Sequence, residues 1–254
     1  MCFDHDARPP IEPIAGAALD SGWELLTSAD GTAFRAFVAR PVAPTGAGIL
    51  ILPDVRGLHP YYEELALRFA EHGVAAVAID YFGRTGGTEP RGADFEYGPH
   101  VAACTWPQLE ADIRAGVARL RQEAGITATF TTGFCMGGRL TFVSAALGLG
   151  LAGVIGFYGW PTGASRQGTP APADIADRFE CDVLSIWGGA DEGIPQAVVD
   201  TFDAALAAAG VAHRTIVAAG APHSFFDRRA EAWADASAEA WDATLGFIRE
   251  HTAG

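Results

Sequence analysis

The stretch Thr132-Gly-Phe-Cys135-Met-Gly-Gly138-Arg-Leu140 decides how this chain is read. It joins a β-type run, Ala128–Thr132, to an apolar helix-type run at about 137–147. A strand-to-helix turn this tight sets its central side chain, Cys135, in a strained and exposed position above a sheet. The positions two before and two after it must then be small, and they are Gly133 and Gly137. The helix that starts there points backbone N–H groups and a positive dipole end at the same spot. Both favour a thiolate and the oxyanion that follows its attack. The other reading of the motif is a small buried thiol in a glycine-rich turn.

The flanking sequence alternates strand-like and helix-like runs. Trp23–Thr27 and Thr32–Arg40 read as antiparallel strands joined at Asp30-Gly31. Buried strands follow at Gly48–Leu52, Val74–Tyr81 and about 151–158, and further strands at Val183–Trp187 and Arg214–Ala218. Helical spacing marks Tyr61–His72, Gln108–Glu123, Gln196–Ala209 and about Ala230–His251. This order predicts an α/β protein with a mostly parallel central sheet and helices on both faces. Nothing in the composition divides the chain, so residues 1–254 are expected to form a single domain with an irregular N-terminal extension of about 20 residues. Gly83–Pro107 and Trp160–Glu180 read as loops at the carboxyl edge of the sheet, where open α/β sheets bind ligands.

Composition removes several functions. The 254 residues contain 17 arginines, no lysine and 31 acidic residues, for a net charge of −14. Without lysine there is no Schiff-base lysine and no Walker-type phosphate lysine. The acidic balance opposes capture of nucleic acid or anionic membrane. From Ala124 to Ser165 the only formal charge is Arg139, long enough a stretch to raise a membrane span. Gly148, Gly150 and Gly153 interrupt it, and it reads as a buried helix, a turn and a buried strand. The start of the chain has no apolar signal core, and the four cysteines form no Cys-x-x-Cys pair. Reduced thiols in the cytoplasm are expected. No Gly-x-Gly-x-x-Gly follows a strand, so no nicotinamide or flavin is called for, and neither a cofactor nor a metal is expected.

A thiol nucleophile needs a base, and the base an orienting group. Asp191 falls in Gly188-Gly-Ala-Asp191-Glu just after one strand, and His223 in Gly220-Ala-Pro-His223-Ser-Phe225 just after the next. Nucleophile, acid, histidine, each beyond a strand end, is the order of the α/β-hydrolases. Cys135, His223 and Asp191 are therefore the candidate triad. Cys2, Cys104 and Cys181 lack such a context and read as structural, while His5, His72, His213 and His251 read as surface residues.

Gly133-Phe-Cys-Met-Gly-Gly138, Gly188-Gly-Ala-Asp191 and Pro222-His-Ser-Phe225 together resemble the dienelactone hydrolase (carboxymethylenebutenolidase) family of α/β-hydrolases. Leu52-Pro-Asp-Val-Arg-Gly-Leu-His59 and Asp80-Tyr-Phe-Gly-Arg84 extend the likeness. The resemblance implies the α/β-hydrolase fold, with Cys135, Asp191 and His223 as the triad and the N–H groups of Met136 and Val55 as oxyanion donors. It also implies a carboxylate at Asp54, where the family has Glu, that meets the thiol and helps generate the thiolate. Arg84 matches one of two family arginines that hold a substrate carboxylate. The second falls at Asp227, with Arg228 one residue late. Arg56 offers an alternative cation, and Tyr158, Trp160 and His59 are candidates for the pocket wall.

The function expected is cofactor-independent hydrolysis of a lactone or activated ester, its substrate a small molecule that carries a carboxylate in the family's enol-lactone members. A monomer is the default. The rival readings are a Gly-x-Cys-x-Gly amidotransferase-like thiol enzyme and a catalytically weak binding protein on the same fold.

Overall fold

The computed structural model describes residues 3–14 and 19–252. Among these residues, eight strands, β1 (Leu19–Thr27), β2 (Ala33–Pro41), β3 (Ala47–Leu52), β4 (Ala75–Ile79), β5 (Ala128–Phe134), β6 (Gly153–Phe157), β7 (Asp182–Gly188) and β8 (His213–Ala218), form one sheet in the order β1-β2-β4-β3-β5-β6-β7-β8. The β1–β2 and β2–β4 pairs are antiparallel, and every other pair is parallel. The helices are α1 (Pro60–Glu71), α2 (Gly83–Gly86), α3 (Tyr97–Ala103), α4 (Trp106–Leu120), α5 (Met136–Ser144), α6 (Gln196–Ala208) and α7 (Ala234–Thr252), with 3₁₀ turns at Pro172–Arg178 and Glu231–Trp233.

Alternation along β6 shows that helices cover both faces. A Cβ at Gly153 would meet the Phe247 ring of α7, and one at Gly156 would meet the Phe142 ring of α5. Residues 153 and 156 point to opposite faces, so α7 and α5 lie on opposite sides. The central strands carry no charge because neither face meets water: all of β3, β4, β5 and β6 is buried, and the polar side chains among them are the threonines of β5. Among the described residues, no helix is long and apolar enough to cross a membrane. The stretch around Arg139 is α5, a turn and β6.

The chain runs from β3 outward to β4, then returns to place β5 on the other side of β3. This reversal opens a crevice beyond the carboxyl ends of β3 and β5, the usual ligand position in an open α/β sheet. Leu52 and Gly133 are paired there, which brings Pro53–Val55 beside Cys135.

Three stretches differ from the sequence reading. Gly83–Pro107 contains α2 and α3, and α4 begins at Trp106. Pro107 sits in its first turn, where no N–H is needed, and the Gln108 side chain accepts the Thr105 N–H. Trp160–Glu180 contains a 3₁₀ turn. Residues 3–14 of the N-terminal extension lack regular structure but are packed: Phe3 is buried and stacks on Tyr61 with ring centroids 3.9 Å apart. Arg229 pairs with Asp4 and Asp6, and Arg8 with Glu64, so residues 4–8 are fastened to the rest of the fold.

Candidate functional site

Cys135 follows β5 directly and has φ +55°, in the left-handed region that a side chain rarely adopts. The turn survives because its glycines let backbones touch. A Cβ at Gly133 would lie 2.1 Å from the Gly137 carbonyl oxygen, and one at Gly137 would lie 1.9 Å from that of Leu52. No side chain fits at either position, so the first turn of α5 rests directly on the end of β3. The Cys135 N–H still donates to Phe157, extending the β5–β6 ladder, and α5 starts at the next residue. The first N–H groups of a helix have no intrahelical partner and remain available to an anion. Tyr158 and Ser224 are the other non-glycine residues with positive φ among the described ones. Tyr158 directly follows β6 and Ser224 directly follows His223 in the loop after β8, so backbone strain gathers around one place.

Asp191 and His223 meet as the sequence predicts. His223 Nδ1 lies 2.6 Å from Asp191 Oδ2. A carboxylate only accepts, so Nδ1 carries the proton and Nε2 is the basic nitrogen. The other Asp191 oxygen accepts N–H groups from Gly193 and Ile194 at 2.9 and 3.2 Å. Burial draws the Asp191 pKa upward, but the hydrogen bond and charge of His223, with those two N–H groups, hold it below the ordinary carboxylate value. The Tyr158 ring packs 4.8 Å from the imidazole.

A cleft of about 380 Å³ collects these groups: Cys135, Met136, Val55, Tyr158, Trp160 and His223 all line it. Val101, Ile194 and residues 164–167 complete the wall. Arg139, the isolated charge of the apolar stretch, is buried here and donates to the carbonyls of Trp160, Thr162, Gly163 and Thr169. It pins the loop after Trp160 across the cleft. A charge with no neighbour in the sequence was the signal for this role, which the sequence reading missed. Arg166, on the same loop, is exposed and lines the cleft without an ion pair among the described residues. Nothing in the sequence set it apart from other surface arginines.

Asp54 is almost fully buried at the end of β3. One oxygen accepts the Arg56 N–H at 2.8 Å, the other accepts the Phe3 N–H at 3.2 Å, and the Asp54 N–H donates to the Tyr62 hydroxyl. Burial foremost, against those N–H bonds, raises its pKa to about 6. An unfolded Asp titrates near about 3.9. Between about pH 4 and 6 the folded state therefore holds a proton that the unfolded chain has released, and this contribution to stability is lost as pH rises through that window. Urea unfolding is expected to show Asp54→Asn gaining on the wild type as pH rises from about 4 to 6, with the difference level above. A constant difference across that range would contradict the assignment.

Several candidate residues fall elsewhere. Arg84 does not reach the cleft. Its guanidinium is clamped on the buried Asp112 carboxylate at 2.6 and 3.0 Å and on Asp30 at 2.9 Å. Asp112 also accepts the Ser28 hydroxyl. A bidentate pair of this kind is committed to the fold. Arg84→Ala is expected to destabilise the protein by about 3–5 kcal/mol, because the buried Asp112 charge is left unpaired. Thermal or urea unfolding checks this, and an unchanged midpoint would refute it. Arg56 lies over the Tyr97 ring and 3.6 Å from Asp4, and it lines a separate cavity together with His59. Asp227 and Arg228 do not line the cleft, and the Arg228 N–H donates to the Arg8 carbonyl. His5, His72, His213 and His251 are half-buried rather than surface residues. Burial raises the thiol pKa of Cys104 to about 11 and of Cys181 to about 12, as expected of structural cysteines. Cys2 lies outside the described residues.

The reversed sheet order, the strained strand-to-helix turn and the acid and histidine beyond later strands define an α/β-hydrolase. The model of the dienelactone hydrolase family matches residues 34–252, and the chain belongs to that family, a family of lactone and ester hydrolases. The chain is similar to the "Putative carboxymethylenebutenolidase" of Escherichia coli O157:H7, 30% identical over 260 residues, covering 96% of this chain and 94% of that protein. It is 28% identical over 219 residues to the "Carboxymethylenebutenolidase" of Rhodococcus opacus, with 82% and 83% covered. The crystal structure of a "Putative Dienelactone Hydrolase" from Klebsiella pneumoniae superposes with a TM-score of 0.76 at 26% identity, covering 91% of this chain and 99% of that one.

Proposed function

We propose that this enzyme hydrolyses a lactone or activated ester through an acyl-enzyme on Cys135. Cys135 passes its proton to His223 Nε2 and the resulting thiolate attacks the acyl carbon; the N–H groups of Met136 and Val55 receive the oxyanion, each contributing roughly 3–4 kcal/mol to lowering the barrier. Collapse of the tetrahedral intermediate expels the alkoxide, which leaves as the alcohol with a proton from His223; in a lactone it stays tethered to the acyl group. Water then attacks the thioester, His223 Nε2 takes its proton, and the free acid leaves. Asp191 holds the imidazole in the required tautomer. Asp54, beside the elbow and held near pKa 6, serves as the carboxylate that adjusts the thiol's protonation.

The observation that carries this reading is the joint geometry of one cleft. It combines a cysteine at φ +55° with a histidine whose far nitrogen is bonded to a carboxylate. A thiol nucleophile needs surroundings that keep it reduced, and the cytoplasm supplies them. A small-molecule substrate suits a cleft of about 380 Å³.

With Arg84 committed to Asp112, an anionic substrate group is met by Arg166. A panel of aryl esters and lactones, with and without a carboxylate, tests this against Arg166→Ala. The variant is expected to lose the preference for carboxylated members through KM, with kcat and neutral esters little changed. An unchanged preference would remove Arg166 from recognition and leave the hydrolytic reading intact.

A further inference from the structure

A second, smaller cavity shares the Asp54–Leu58 loop and helix α3 with the substrate cleft. Val55 and Val101 line the cleft, whereas Arg56, His59, Arg91, His5 and Tyr97 line this cavity. Among the described residues, no acidic side chain lines it. The nearby carboxylates are engaged: Asp80 accepts from Arg91 at 2.6 Å and from the Leu58 and Phe82 N–H groups, and Asp54 accepts the Arg56 N–H. Asp4 stands 3.6 Å from the outer end of Arg56.

Around the cavity stand buried nitrogens that have no hydrogen-bond partner among the described residues. These are His5 Nε2, Arg56 Nε, Arg91 Nε and both ring nitrogens of His59, a residue more than nine-tenths buried. Guanidinium nitrogens only donate, and each neutral imidazole donates once, so donors outnumber acceptors. Buried polar groups in folded proteins are satisfied, and a mostly donating wall calls for an accepting guest. Water gives as many hydrogens as it accepts, whereas a carboxylate or phosphate offers lone pairs to every donor.

We propose that this cavity is a binding site for a small oxygen-bearing anion, a carboxylate or inorganic phosphate, held by Arg56, Arg91 and His59. The bound anion braces the Asp54–Leu58 loop from the side away from substrate and thereby steadies Val55. The effect on turnover rests on the oxyanion role proposed for Val55; the binding itself does not. Burial foremost, then the charges of Arg56, His5 and Arg8, hold the His59 pKa down at about 3. An anion among these groups opposes each of those effects and shifts the imidazole signals upward in titration.

The test follows the histidine ring signals of the full chain by NMR during addition of formate or inorganic phosphate, with chloride keeping ionic strength constant. The expected result is a saturable shift of the His59 ring. Affinity is expected to fall at least tenfold in His59→Phe and in Arg56→Gln, each first checked for an unchanged fold. Arg56 is partly exposed, so its variant keeps the test decisive if His59→Phe does not fold. A linear, unsaturable response equal to that of chloride would overturn the proposal, leaving the cavity to water. So would a saturable response that neither variant weakens, or one abolished by an ester bound in the cleft. In a parallel assay with a neutral ester, formate is expected to raise kcat without raising KM. Binding without this kinetic effect would retain the site and overturn the bracing of Val55.

Discussion

Cys135→Ala is expected to abolish ester hydrolysis, lowering kcat on the order of 10⁴–10⁶-fold, with the fold intact. The size of the loss follows from the chemistry: among the described residues no other thiol replaces Cys135, since the pKa values of Cys104 and Cys181 are held well above the pH of assay by burial. The persistence of the fold follows from the turn. Alanine keeps the Cβ that already occupies φ +55°, so the strain is neither relieved nor increased, and the enclosing glycines are untouched. Steady-state assay with a small aryl ester, alongside circular dichroism and a melting curve, checks both halves. Turnover within tenfold of the wild type would remove Cys135 as nucleophile.

Asp191→Asn is the next largest effect, expected near about 10⁴-fold in kcat. The amide keeps the shape of the carboxylate and one acceptor oxygen. If that oxygen stays on the N–H groups of Gly193 and Ile194, the NH₂ group faces His223 Nδ1. A donor facing Nδ1 forces the imidazole proton onto Nε2, the nitrogen that must act as base. The loss is expected to ease as pH rises, because a larger fraction of Cys135 is then thiolate without help from His223. A variant with wild-type kcat and pH profile would show that the 2.6 Å contact is structural only.

Much of this was legible in the sequence because local constraints coincide with global ones. Gly133 and Gly137 mark a turn that only a bare backbone can make, and the elbow stands where they place it. The continuously apolar runs became the doubly covered strands, and Asp191 and His223 follow β7 and β8 as the alternating pattern requires. What escaped depends on contacts between distant parts of the chain. Arg84 has the same neighbours in sequence whether it faces a substrate or Asp112, 28 positions away. Phe3 sits in an irregular, proline-containing segment with no periodicity, yet it supplies an N–H to Asp54 across 51 positions. Arg139 was conspicuous as a charge in an apolar run, but the four carbonyls it holds belong to a loop whose path no local pattern encodes. His59 differs again: that its buried ring has no hydrogen-bond partner among the described residues is visible only once the walls around it are assembled.

The central claim is that an acyl group passes through Cys135. Mass spectrometry of Asp191→Asn, quenched in acid shortly after mixing with an excess of an aryl acetate, tests it directly, because slowed deacylation lets the intermediate accumulate. The account predicts one acetyl group per chain, mapped to the peptide that contains Cys135, with release of a matching burst of the aryl alcohol. Sustained turnover with no adduct, or an acetyl group on a different residue, would contradict it.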